Sequence, residues 1–317
     1  MANETTSTSA NDIVYSAVIA PVVMAVMAEQ NLPMTWCREF DIRAQASNAI
    51  DVAIPDSDIG SGDDDGASVD GEFDATEGTG LANTEWSTGK ATLTCAEYGI
   101  AYEVTDTLEE DHVSGLNLFS IITSHMSRAL ALAWSKDFVD LASSLSNSVG
   151  TTTADLTIAQ MLAAQTGIRT RGGIADDGLV YLLDNEQVLN LEGALIATST
   201  SAASYAGATD RLLGVSSGPN NGMGTTRQVM GFRGYPVVAS GLCPTANAAA
   251  DVVGSCFTPA GPNNDDYATF GNAIKRLPRF ESERSAKGRS TDLVLTMRMG
   301  AGELLDASGT KIVTDAP

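Results

Sequence analysis

Residues 96–110, AEYGIAYEVTDTLEE, running into residues 114–145, SGLNLFSIITSHMSRALALAWSKDFVDLASSL, decide how the rest of the chain is read. The first part alternates. Ile100, Tyr102 and Val104 recur at every second position, the period of a half-buried strand; Leu93 and Cys95 carry the same pattern upstream, and Gly99 offers a place for a bulge. The second part changes period. Phe119, Ile122, Met126, Leu130, Ala133 and Leu141 fall within about 100° of one another at helical spacing, while Ile121 and Leu132 lie on the opposite side. The pattern predicts a helix from near Ser114 to about Leu145, on the order of 45 Å long and covered on two sides.

Upstream, Ser47 to Ile54 reads as a strand ended by Pro55. Between it and the Ala91–Val104 strand lie nine acidic residues (Asp56, Asp58, Asp63, Asp64, Asp65, Asp70, Glu72, Asp74 and Glu77), many glycines and, from residue 44 to 89, no Lys or Arg. No packed core forms from such a composition, so the two strands bracket a long acidic excursion: an extended hairpin. The first eleven residues are polar and Ser/Thr-rich, an arm. Ile13 to Ala28 is sixteen residues without a charge, too short to span a bilayer comfortably, interrupted by Pro21 and preceded by acids instead of bases. It reads as a buried helix of that arm and as neither signal peptide nor membrane span.

Downstream, Thr157 with Gln160 and Asp184 with Gln187 have the spacing of capping boxes, opening helices to near Gly172 and about Ile196. Leu179 to Leu183 reads as a buried strand, Tyr235 to Ala239 and Val252 to Phe257 as further strands, and Thr198 to Thr226 as a Gly/Ser/Asn-rich loop. In Asp292 to Gly300, Leu293, Leu295, Met297 and Met299 face one way, and Val294, Thr296 and Arg298 the other. Residues 275–298 hold seven of the 18 Lys and Arg residues (Lys275, Arg276, Arg279, Arg284, Lys287, Arg289, Arg298) against Glu281, Glu283 and Asp292, a local surplus of four positive charges.

The whole chain of 317 residues carries 40 acids and a formal charge of −22, which repels nucleic acid and anionic lipid over most of its surface. Cys37, Cys95, Cys243 and Cys256 show no C-x-x-C spacing and read as reduced thiols. Gly214-Val-Ser216-Ser-Gly218 matches a hydrolase nucleophile elbow, but that arrangement needs a histidine after the serine, and His112 and His125 both precede it. Ser87-Thr-Gly-Lys90 lacks the partner motifs of a β-lactamase-like site, and Gly218 to Thr225 lacks the lysine of a phosphate loop. Asp56 and Asp58 begin like a calcium loop, yet Gly60 occupies position five and no Glu closes position twelve. No catalytic, cofactor or metal constellation emerges.

The series of polar arm, extended hairpin, very long helix, helix- and strand-rich middle, basic turn and long strand resembles the major capsid proteins of tailed bacteriophages, the Hong Kong 97-like fold. Ala96 to Glu110, Gly234-Tyr-Pro-Val-Val-Ala-Ser240, and Asp292 to Gly300 followed by Lys311-Ile-Val-Thr-Asp315 carry the resemblance. It implies an α+β architecture: an N-terminal arm (1–43), an extended loop (44–98), a peripheral domain with a spine helix (99–150 and 275–317) and an axial domain (151–274). It implies a shell protein, not an enzyme, whose pentamers and hexamers close an icosahedral head around double-stranded DNA in the virion after assembly in the host cytoplasm. A separate scaffolding protein, a portal and a decoration protein are the implied partners, with no cofactor. In such shells the extended loop lies over a neighbouring subunit. The expected contact therefore sets Asp63, Asp64 and Asp65 against Arg279, Arg284, Lys287 and Arg289 of an adjacent copy. An encapsulin-like compartment and, more remotely, a serine hydrolase using Ser216 remain as alternatives.

Overall fold

A computed structural model describes residues 32–55, 88–111, 118–172, 178–191, 228–261 and 267–315. The arm helix expected at 13–28, the acidic run 56–80, the loop 198–226 and the stretch 192–196 lie outside them. In chain order the elements are helix α1 (Leu32–Trp36), strands β1 (Arg38–Asp41), β2 (Ala49–Pro55), β3 (Thr88–Thr94) and β4 (Ala96–Thr105), and helices α2 (Asp106–Asp111) and α3 (Leu118–Asp140). Then come β5 (Ser148–Gly150), α4 (Ile158–Gly172), β6 (Val180–Leu183) and a helix α5 over 185–191. Strands β7 (Gln228–Phe232), β8 (Tyr235–Ala239), β9 (Thr245–Ala246), β10 (Asp251–Phe257), β11 (Phe270–Ser285), β12 (Ser290–Glu303) and β13 (Gly309–Asp315) complete the chain.

Helix α3 packs on a four-stranded sheet of order β1-β11-β12-β4. The alternation in β12 holds: Leu293, Leu295, Met297 and Met299 are buried and meet Met126, Leu130, Ala131 and Trp134 of the helix, with Val104 and Ile274 closing the cluster. Within the described residues α3 runs for 23 residues, about 34 Å, followed by a 3₁₀ turn at Leu141–Ser143, so it is shorter at its C-terminal end than expected. Its buried stripe also differs. Ser127 and Ser135 lie inside it and Ala133 outside. Thr123 and Ser127 enter the core because each hydroxyl donates to the carbonyl four residues back, at 2.7 Å. Among the described residues coverage on two sides is not met, since Ile121 and Leu132 are 50% and 39% exposed.

The continuous strand expected from Ala91 to Val104 is two strands parted at Cys95. β3 pairs with β2 in the extended hairpin, and β4 pairs with β12 in unbroken register from Ala96–Met299 to Thr105–Ser290, so Gly99, opposite Thr296, is not a bulge. The parting is a tertiary effect. Thr94 crosses over Gly300 so closely that a Cβ there would stand 2.1 Å from the Thr94 carbonyl oxygen, and only glycine permits the crossing. The basic stretch that read as a turn is a long hairpin: β11 and β12 pair from Phe270–Glu303 to Ser285–Ser290. Register shifts flank Arg276, near Pro278, which has no N–H for the ladder.

The second sheet has seven strands, ordered β5-β13-β10-β6-β8-β7 with β9 beside β10. The first capping box forms in full, Thr157 and Gln160 exchanging bonds of 2.8 and 3.3 Å. At the second the Asp184 amide donates to Gln187 Oε1 at 3.0 Å, while Asp184 Oδ1 accepts from the Glu186 amide at 3.0 Å in place of the Gln187 amide. The buried Gln187 amide nitrogen reaches Thr314 Oγ1 at 2.8 Å, tying α5 to β13. Although β13 falls within the 275–317 stretch, its hydrogen bonds go to β10 and β5 of this larger sheet. A third cluster joins the two sheets: Phe138 of α3, Phe257 of β10 and Phe270 of β11 meet edge to face, with centroids 5.1 to 6.0 Å apart.

Candidate assembly surface

The basic residues picked from the sequence, Arg279, Arg284, Lys287 and Arg289, map onto the β11–β12 hairpin. At its tip, residues 286–289 form the turn, Arg289 takes a left-handed conformation (φ 52°), and the Asp106 amide donates to the Arg289 carbonyl at 2.9 Å. Arg284 grips the Asp106 carboxylate with both terminal nitrogens, at 2.6 and 2.8 Å, and this lowers the Asp106 pKa below the usual carboxylate value. The hairpin tip is thereby pinned to the start of α2. Lys287 and Arg289 are exposed and enter no ion pair among the described residues. Arg279 is exposed beside Glu281 on its own strand, at 2.7 Å.

The face of the sheet turned away from α3 is charged in bands. Arg276, Arg298 and Glu97 stand opposite one another across three strands, and farther along Glu283, Asp292 and Glu103 do the same. Arg276 donates to Glu97 at 2.7 Å. On the other face, Tyr98 donates to Asp137 of α3, and its hydroxyl pKa is raised by burial and by that carboxylate.

The base of the extended hairpin is set by Asp51, whose carboxylate accepts from Lys90 at 2.6 Å and from Thr92 at 2.7 Å and titrates low for that reason. Lys90 is therefore a strand residue with a carboxylate partner, unlike the lysine of an S-x-x-K site. Asp63, Asp64 and Asp65 lie outside the described residues, as do Asp56, Asp58, His112 and Ser216. The contact expected of Asp63, Asp64 and Asp65 joins separate copies, so within one chain it has no geometry. The ion pairs Arg284–Asp106 and Arg276–Glu97 carried no local sequence signal, because their partners are about 180 residues apart.

No group of three or more His, Cys, Asp or Glu side chains able to hold a metal occurs among the described residues. Cys37, Cys95, Cys243 and Cys256 are free thiols, and burial raises the pKa of Cys37, Cys95 and Cys243. An open depression of about 560 Å³ beside Thr35, Cys37, Arg38, Glu39 and Phe40 has no activated nucleophile, since burial keeps the Cys37 thiol protonated. No helix among the described residues is long and apolar enough to cross a membrane.

No family model and no curated protein sequence matches the chain. Solved structures do. The capsid of cyanophage P-SCSP1u aligns with a TM-score of 0.57 at 12% identity, covering 91% of this chain and 89% of that one. The capsid of a native GTA particle aligns at 0.57 and 12%, covering 92% and 91%. The SrpI encapsulin of Synechococcus elongatus PCC 7942 aligns at 0.55 and 8%, covering 88% and 84%. The chain has the α+β capsid fold of tailed phages, the Hong Kong 97-like fold, over nearly its whole length.

Proposed function

We propose that the chain is a shell subunit: copies self-assemble, as pentamers and hexamers, into an icosahedral phage head that encloses double-stranded DNA, and the role is structural, not enzymatic. The observation that carries this reading is the match to capsid subunits across about nine-tenths of both chains, including those of a cyanophage and a GTA particle. A charge of −22 suits a container that does not grip its contents. The four-stranded sheet with α3 corresponds to the peripheral domain (99–150 and 275–317), the seven-stranded sheet to the axial domain (151–274) with β5 and β13 added to it, and residues 1–43 and 44–98 to arm and extended loop. A separate scaffolding protein, a portal and a decoration protein complete the virion.

Adjacent copies meet where Asp63, Asp64 and Asp65 approach the hairpin tip. Arg284 is engaged by Asp106 and Arg279 by Glu281, so the attraction falls chiefly on Lys287 and Arg289. Each such exposed pair is weak and salt-screened, and closure comes from repetition over many copies. Reversing both charges, Lys287→Glu with Arg289→Glu, lowers assembly yield and blunts its salt dependence; unchanged yield and salt dependence refute the contact.

The encapsulin match favours a second reading, a protein compartment with protein cargo. Nucleic acid extracted from purified particles separates the two: packaged DNA supports the phage head, and protein cargo without DNA supports the compartment. A hydrolase reading stands only if purified chain hydrolyses an ester and Ser216→Ala abolishes it.

A further inference from the structure

The outer face of the four-stranded sheet holds two guanidinium groups and one carboxylate in a single row. Arg276 and Arg298 are directly opposed, and Arg298 is opposed in turn to Glu97. Arg276 takes the carboxylate, reaching over β12, the strand that carries Arg298, a span of about 9.6 Å from β11 to β4. Arg298 is left without a hydrogen bond or ion pair among the described residues although it is partly buried, and the Nε atoms of both arginines are buried without a partner. Like charges set directly opposite oppose folding, and a partly desolvated charge without a counter-charge adds to that cost. Carboxylates are not scarce, since the chain has 40 acids for 18 bases. Register shifts on both sides of Arg276 mark a distortion of the kind that re-aims a side chain.

We propose that Arg276 and Arg298 form an oxyanion site filled by a carboxylate from a second copy of this chain. Planar guanidinium forks match a carboxylate in two-point geometry. Every copy brings a large acidic surplus. The far end of the same face carries Glu283, Asp292 and Glu103, six residues from Arg298 along β12 and therefore about 20 Å away. Those acids repel an incoming carboxylate and confine it to the arginine end, which sets the register of the contact. Naming a second copy rests on the shell reading; the charge imbalance of the row does not.

The test uses the full chain, with particles and unassembled subunit separated by size and each melted, for wild type, Arg298→Gln and Arg298→Lys. The site predicts that Arg298→Gln leaves the melting temperature of the unassembled subunit unchanged or higher, lowers the salt concentration at which particles dissociate, and is partly rescued by Arg298→Lys. A fall in the subunit's own melting temperature, or no change in particles, overturns it. Stabilisation of wild-type subunit, but not Arg298→Gln, by inorganic phosphate, with particles of both equally stable, shows a free-anion site and overturns the second-copy occupant. If wild type forms no particles, the shell reading fails. Glutarate at constant ionic strength then decides the site, which stands if only wild type is stabilised and falls if neither or both are.

Discussion

Phe138→Ala removes the ring that joins the two sheets. Phe138 is 1% exposed and meets Phe257 at 6.0 Å and Phe270 at 5.4 Å, each edge to face, so the ring contacts β10 of one sheet and β11 of the other. Truncating a buried Phe to Ala costs about 3–5 kcal/mol through lost burial and the cavity left behind. The upper half is expected here, because each aromatic pair contributes about 0.5–1.5 kcal/mol beyond its buried area. With an unfolding entropy of about 2.1 cal/mol/K per residue, a chain of 317 residues loses about 1.5 °C per kcal/mol, so the melting temperature falls by about 6–8 °C. Calorimetry and far-UV circular dichroism on the unassembled subunit measure this. A shared core predicts one cooperative transition in wild type and a shift of the whole transition in the variant. A loss below about 1 kcal/mol, or two transitions of which only one moves, refutes the idea that the phenylalanine cluster couples the sheets.

Gly300→Ala sets a methyl group against the Thr94 carbonyl, where backbone cannot give way, and is expected to collapse the soluble yield or cost well over about 1 kcal/mol, whereas Gly261→Ala, with open space around it, leaves both unchanged. Thr157→Ala removes one half of the capping box of α4 and costs about 1 kcal/mol by urea unfolding. The Asp106 carboxyl titrates low in the folded chain because Arg284 holds it ionised, so its contribution is present above the unfolded carboxylate pKa of about 3.9 and is lost as pH falls through the lower folded value. The stability gap between wild type and Arg284→Gln is therefore expected to be constant near neutral pH and to close below about pH 4; a gap that persists in acid contradicts the assignment.

The fold was legible where local chemistry is self-sufficient. Four apolar residues at period two in β12, the reciprocal Thr157–Gln160 pair and the Asp184-x-x-Gln187 spacing announce a strand and two helix starts without help from the rest of the chain. It was hidden where tertiary structure decides. β11 read as a basic turn because irregular register around Arg276 and Pro278 breaks its period, and because its apolar residues are separated by charges that face outward. The parting at Cys95 read as a bulge at Gly99 because Leu93 and Cys95 alternate in one phase and Ile100, Tyr102 and Val104 in the other; the crossing with Gly300, about 200 residues away, ends one strand and starts the next. The helix stripe was displaced since hydroxyls at Thr123 and Ser127 satisfy themselves on the helix's own carbonyls and enter the core as small residues. Of the charged surface, composition located the basic segment, but only the register reveals that Arg284 is engaged by Asp106 and that Arg298 stands beside a second arginine.

Electron microscopy of the purified full-length chain, expressed alone and with a candidate scaffolding protein, tests the central claim most directly. A shell subunit predicts closed particles of uniform diameter with five-fold and six-fold clusters of subunits. Monomers or small discrete oligomers in both preparations contradict it.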